Sequence, residues 1–208
     1  MDDKATIWDF HGGLHLPDHK AESNQAAVRA VSAGQTLVLP LQQHIGHPAE
    51  PQVKVGDQVL KGQLIAQASD YVSANLHAPT SGEVTEIGPR PVAHPSGLEA
   101  ECIVIRPDGK DNWAELPEPL HNYLQTDAAE LRERLRWAGI VGLGGAVFPT
   151  SVKANTGGGK PIDTLIVNAA ECEPYISCDD VLMRTQAADI IDGILILRHI
   201  IQAREVLI

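Results

Sequence analysis

What this chain can fold into is constrained most by a glycine-punctuated β pattern that occurs twice in its first half. Residues 53–66 read Val-Lys-Val-Gly-Asp-Gln-Val-Leu-Lys-Gly-Gln-Leu-Ile-Ala, so that Gly56-Asp57 and Lys61-Gly62 fall as turns between runs of period two. The later His77-Ala-Pro-Thr-Ser-Gly-Glu-Val84 repeats the plan, with Ser81-Gly82 predicted as its turn. Short β-branched runs lie on both sides, LVLPL at 37–41 and ECIVIRP at 101–107. The stretch from Gln35 to Pro107 is therefore expected to be a compact all-β domain.

The second half obeys a different period. Asp127-Ala-Ala-Glu130 has the spacing of a capping box, Leu131, Leu135 and Ala138 share one helical face, and Gly139 is the expected stop. A glycine-rich loop follows, Gly142-Leu-Gly-Gly-Ala-Val-Phe-Pro-Thr-Ser-Val-Lys153, with a proline suited to a first helical turn and a lysine about one turn further on. Glycines let the backbone approach an anion, free amides donate to phosphate oxygens, and Lys153 adds a positive charge. The pattern predicts a phosphate cradle, although it is neither a Walker A loop nor GxGxxG. Thr164–Val167 then reads as a buried parallel strand ending in Asn168, Glu171 and Glu173, where open α/β sheets bind ligands. Asp179 and Asp180 begin a predicted long helix carrying Val181, Ile190, Ile194, Leu197 and Ile201, and Arg204–Ile208 starts a further strand.

Composition removes several classes of function. With 43% apolar residues over 208 positions the chain can bury a core, which excludes disorder. A net charge of −11 repels phosphate backbones, so nucleic acid and anionic membrane surfaces are poor partners. Cys102, Cys172 and Cys178 are odd in number and lack CxxC spacing, which points to a reducing compartment with neither disulfides nor a metal or cluster site. The first residues lack a secretion signal, and the apolar run Ile190–Ile201 is too short and too charged to span a bilayer. His11, His15 and His19 are four apart, but Gly12, Gly13 and Pro17 argue against a helix there; His44 and His47 are read as turn or surface residues.

Both glycine-punctuated segments resemble the barrel-sandwich hybrid family of biotinyl and lipoyl carriers, with their V-x-x-G-D-x-V-x-x-G and A-P-x-x-G-x-V patterns. No lysine occurs between Lys61 and Lys110, so the fold is expected without the carrier chemistry. The loop and the segment Asn168-Ala-Ala-Glu-Cys-Glu-Pro174 together resemble the flavin region of the FMN-carrying subunit of respiratory complex I. They resemble still more closely the C-subunit family of the Rnf electron-transport complex, with its G-L-G-G-A-G-F-P-T and N-A-A-E-C-E-P-Y; Trp8-Asp-Phe-His-Gly-Gly-Leu-His15 fits the same family.

The resemblance implies an α/β plus β architecture. Residues 1–34 would be an extended segment, 35–110 a barrel-sandwich hybrid, 111–125 a linker, and 126–208 the first part of a Rossmann-like FMN/NADH-binding domain. It implies that Gly142, Gly144, Gly145 and Lys153 cradle the FMN phosphate and ribityl chain, that Asn168 and Glu171 bond to polar parts of the flavin, that Glu173 lies towards the nicotinamide, and that Phe148 stacks against NADH. Four-iron clusters are implied only for sequence beyond this chain. The implied partners are the other Rnf subunits with NADH or ferredoxin, on the cytoplasmic face of a bacterial inner membrane, peripheral and held there by those subunits. The chain is read as truncated, with weak or no FMN binding by itself. Val147 departs from the family's glycine; if that position needs positive φ, a β-branched residue there is costly. The competing reading is a non-catalytic docking module with an incomplete flavin site.

Overall fold

The computed structural model describes residues 11–14, 16–94, 96–157 and 161–208. Trp8, Asp9, Phe10 and His15 of the N-terminal motif lie outside these residues. In chain order the elements are α1 (Lys20–Ser23), β1 (Leu37–Pro40), β2 (Glu50–Pro51), β3 (Gln58–Val59), β4 (Leu64–Gln67), β5 (Leu76–His77), β6 (Gly82–Pro91) and β7 (Glu99–Pro107). They continue with α2 (Ala128–Trp137), α3 (Thr150–Lys153), β8 (Thr164–Ile166), α4 (Cys178–Thr185), α5 (Ala187–Ile201) and β9 (Glu205–Leu207). The chain divides into two compact units, one of residues 30–167 with 188–208, the other of residues 1–29 with 168–187.

The larger unit contains the predicted β domain. A four-stranded antiparallel sheet runs in the order β1-β7-β6-β3, and a three-stranded sheet in the order β2-β4-β5. The long β6–β7 hairpin keeps register from Gly82↔Pro107 to Pro91↔Glu99, with one irregularity between Val84 and Glu86. The two sheets bury one cluster built around Val59, Ile65, Val84, Ile103 and Ile105, each at most 1% exposed. Full burial of such side chains contributes about 1.5–3 kcal/mol each, which makes this cluster the main source of the domain's stability. The turns at Gly56-Asp57 and Lys61-Gly62 form as expected. The Asp57 carboxylate accepts from the Lys54 amide at 3.0 Å, and the Gln63 side chain accepts from the Leu60 amide at 2.9 Å.

Ser81-Gly82 is a correction. Gly82 is the first residue of β6 and not part of a turn; a Cβ there would lie 2.3 Å from the Arg106 carbonyl oxygen, so close backbone approach is what requires glycine. Ser81 is buried and donates to Asp108 at 2.7 Å. After β7 the chain is pinned to the barrel, because Asp111 accepts from Lys61 at 2.6 Å and from Thr80 at 2.9 Å.

Beyond it, α2 starts where the cap predicts, with the Asp127 carboxylate accepting from the Ala129 amide at 2.8 Å. Glu130 does not complete a box; it pairs with Arg134 one turn on. The helix ends in a Schellman arrangement, Gly139 N–H to Arg136 O at 3.1 Å and Ile140 N–H to Leu135 O at 3.2 Å. Gly139 has φ +66°, and a Cβ there would meet the Asn75 carbonyl at 2.3 Å. Leu131, Ala154 and Ile200 form a second core that joins α2, α3 and α5, with Leu135 against it. Ala138, predicted on the same face, is exposed, because the helix ends at Trp137.

β8 and β9 pair in parallel, Thr164↔Glu205 to Ile166↔Leu207, with α5 in the connection between them. This is the βαβ order expected, but the strand is not buried: Ile166 is 70% exposed, since the described sheet has only these two strands. The predicted long helix is likewise two helices. Gln186, at φ −133° and ψ 37°, separates α4 from α5, and the Thr185 hydroxyl donates back to the Val181 carbonyl at 2.7 Å, a bond that bends helices.

Candidate functional site

The glycine loop is closed at its base and open at its tip. Val141 bridges Pro149, Gly142 N–H donates to Phe148 O at 2.9 Å, and a turn is shut by Val147 N–H to Gly144 O at 2.9 Å. Between those bonds the amides of Leu143, Gly144, Gly145 and Ala146 have no hydrogen-bond partner among the described residues. No atom lies within 4 Å of where a Cβ would stand on Gly144 or Gly145. Neither residue has φ in the left-handed region; glycine here provides bare backbone instead of unusual torsion. At Gly142 the position of a Cβ is 2.7 Å from Lys153 Nζ, the far end of a flexible side chain, so a larger residue there would push that ammonium aside.

Lys153 lies at the end of α3, a single turn whose cap residue is the fully buried Pro149. Proline therefore precedes the helix and does not occupy its first turn. Phe148 is half-buried. The loop's one strained residue is Val147, at φ +45°, so the condition under which a β-branched residue is costly at this position is met.

On its Gly145–Val147 side the loop borders a cleft of about 710 Å³ whose other walls come from the β domain, including Gln43, His44, Val92 and Leu98. Ile45 N–H donates to Ala146 O at 3.2 Å across its floor. His44 is a packed turn residue as expected, only 6% exposed, and Ala74 N–H donates to its Nε2 at 3.0 Å. Nε2 also lies 3.1 Å from the His47 carbonyl, so the tautomer sets whether it donates or accepts, and Nδ1 is buried without a partner among the described residues. Burial pushes His44 below the usual imidazole range, and the His47 carbonyl only partly opposes this. His47 itself is exposed, 3.5 Å from Asp70.

The acidic segment belongs to the smaller unit. Asn168 is exposed, and its side chain accepts from the Ala170 amide at 3.0 Å in a local turn. Glu171 is already engaged: its Oε1 accepts from the amides of Asp179 and Asp180 at 2.8 and 3.3 Å, capping α4 in place of Ser177, whose side chain makes no cap bond. The Glu171 carboxylate, the Cys178 thiol and the Asp179 carboxylate consequently lie within 4.8 Å of one another, a spacing that the helix cap itself produces. Glu173 is exposed, and its carbonyl accepts from Lys20 Nζ at 3.2 Å. Cys172 and Cys178 are exposed free thiols and Cys102 is buried. Sequence reasoning missed Lys20 and weighed His19 only for its four-residue spacing from His15, because the partners of both lie some 150 residues away.

Known proteins match the chain in the same two parts. Residues 8–110 match the family described as RnfC barrel sandwich hybrid domain, and residues 135–208 match the Nuo51 FMN-binding domain. Among curated relatives, the protein of Yersinia pestis bv. Antiqua (strain Antiqua) is 49% identical over 97% of this chain and 32% of its own length. That of Serratia proteamaculans (strain 568) is 48% identical over 99% of this chain and 29% of its own, and that of Klebsiella pneumoniae (strain 342) 51% over 99% and 27%. All three are named as the C-subunit of an ion-translocating oxidoreductase complex, and the chain spans a third or less of their length. The chain therefore carries the barrel-sandwich hybrid domain of the RnfC family together with an FMN-binding region of the Nuo51 type.

Proposed function

We propose that this chain forms the nucleotide-binding part of an electron-transport subunit that takes a hydride from NADH, and that the Gly142–Lys153 loop receives the phosphate of FMN. The observation that carries the reading is the run of unpartnered amides at 143–146 with the Lys153 ammonium beside it. A phosphate monoester brings the oxygens and the negative charge that such a loop lacks, and each charge-assisted bond contributes about 1.5–3 kcal/mol. When bound, FMN supplies a ring that accepts a hydride and releases electrons one at a time.

The chain's own residues bind and orient. Gly142, Gly144, Gly145 and Lys153 hold the phosphate and ribityl end; Asn168 offers hydrogen bonds to the flavin's polar edge; Phe148 offers a face for NADH; Glu173 accepts from hydroxyl or carboxamide groups of the dinucleotide. Glu171 reaches the flavin only with whatever capacity its helix cap leaves free. Electron exit through four-iron clusters outside these residues is what the resemblance implies, and the partners in this reading are the other members of the complex. Peripheral attachment on the cytoplasmic side through those partners is part of the same reading; separately, no helix among the described residues is long and apolar enough to cross a membrane.

The test is Lys153→Ala in the full-length protein within the assembled complex, with flavin content and NADH-dependent reduction of an artificial acceptor as readouts. Loss of both is expected; unchanged flavin content and rate would refute the reading. A docking module with a vestigial site draws support from Val147 and from the engaged Glu171, and it predicts a rate indifferent to both Lys153→Ala and Glu171→Gln.

A further inference from the structure

We infer that Lys20 is a positioning residue for the segment Glu171–Ile176, so that the chain's N-terminal stretch sets how Glu173 meets NADH. The inference rests on the proposed role of Glu173 towards that dinucleotide. Residues 18–24 hold 173–180 at five points within the smaller unit. Lys20 Nζ donates to two carbonyls of the same loop, Glu173 at 3.2 Å and Ile176 at 2.6 Å. Tyr175 N–H donates to Asp18 O at 2.8 Å. The His19 and Tyr175 rings stack at 4.5 Å with an interplanar angle of 3°. Asn24 Nδ2 donates to Asp180 at 3.3 Å.

Two of these residues are strained. His19 has φ +52° and Tyr175 φ +66°, torsions that side-chain-bearing residues keep only where surrounding contacts over-determine them. The stack and the lysine supply those contacts. Lys20 is half-buried, so an ammonium with three donors gives up part of its hydration for two carbonyls that bracket the strained tyrosine. Among the described residues no hydrogen bond or ion pair holds the exposed Glu173 side chain, so its direction follows from the backbone that Lys20 grips. Because the gripped atoms are backbone carbonyls, the grip does not depend on which side chains the loop carries.

The test uses the full-length protein with Lys20→Met, which keeps the stem and removes the donors, and Lys20→Arg, which restores them. Hydrogen exchange of residues 171–178 without nucleotide is expected to quicken about tenfold in Lys20→Met. In the assembled complex KM for NADH is expected to rise about tenfold, or about 1.4 kcal/mol, with kcat and flavin content within twofold and with recovery in Lys20→Arg. A merely structural role would lower kcat and flavin content and leave KM in place. Unchanged exchange overturns the inference, as does faster exchange with unchanged KM. A wild-type complex that holds no FMN or leaves NADH unoxidised overturns the proposed function instead, and exchange then still decides whether Lys20 grips the segment.

Discussion

Val147 offers the sharpest test of the loop's geometry. Its φ of +45° places a β-branched residue in the left-handed region, where a Cβ costs about 1–2 kcal/mol. Val147→Gly and Val147→Ala lose the same two methyl groups, so comparing them isolates the Cβ. Glycine releases the strain but enlarges the unfolded ensemble at a cost of about 0.4–1 kcal/mol. The balance favours glycine over alanine by about 0.5–1 kcal/mol, or about 1–4 °C in Tm for a chain of this size. Urea and thermal denaturation of the two variants, each measured against the wild type, give the comparison directly. Alanine proving as stable as glycine, or more so, would show that Val147 is not held at positive φ and would remove the physical basis for reading it as a departure from the family pattern.

Three further outcomes follow from the same structure. Gly139→Ala combines a φ of +66° with a Cβ 2.3 Å from the Asn75 carbonyl and is expected to cost on the order of 2–4 kcal/mol; a Tm within about 2 °C of wild type would contradict the Schellman stop. Burial lowers both His44 and His77, so the unfolded chain takes up their protons first. Their contribution to stability is fully present above about pH 6.5 and is lost as pH falls towards the depressed folded values. Tm is expected to drop between pH 7 and 5 with a shallower slope in His44→Gln, and an unaltered slope would count against it. Glu171→Ala removes the acceptor for two α4 amides and is expected to speed exchange of Asp179 and Asp180 severalfold, with a cap worth about 1 kcal/mol; unchanged exchange would free Glu171 for the flavin.

Much of this is legible in the sequence because the determining signals are local. LVLPL and ECIVIRP pair as β1 and β7 since β-branched runs bounded by turns have few alternatives. Asp127 and Gly139 bracket α2 because capping chemistry acts within four residues. What escapes is long-range. The capture of 173–176 by Lys20 and of α4 by Glu171 depends on backbone atoms that leave no pattern in side-chain spacing. Gly82 misleads because glycine marks both turns and close approaches, and only the neighbouring Arg106 carbonyl tells them apart. The break at Gln186 is hidden because no glycine or proline announces it. In the loop, the glycines at 144 and 145 leave bare backbone whose amides have no partner among the described residues, and the anion proposed there is what remains to be tested.

All of this chemistry depends on the Gly142–Lys153 loop gripping a phosphate. The most direct measurement is the dissociation constant of the full-length protein for FMN against that for riboflavin, which has the same ring and no phosphate, by flavin fluorescence quenching. FMN is expected to bind at least about a hundredfold more tightly, equivalent to about 2.7 kcal/mol, with most of that margin gone in Lys153→Ala. Equal affinity for the two flavins, or a preference for FMN that survives Lys153→Ala intact, would contradict it.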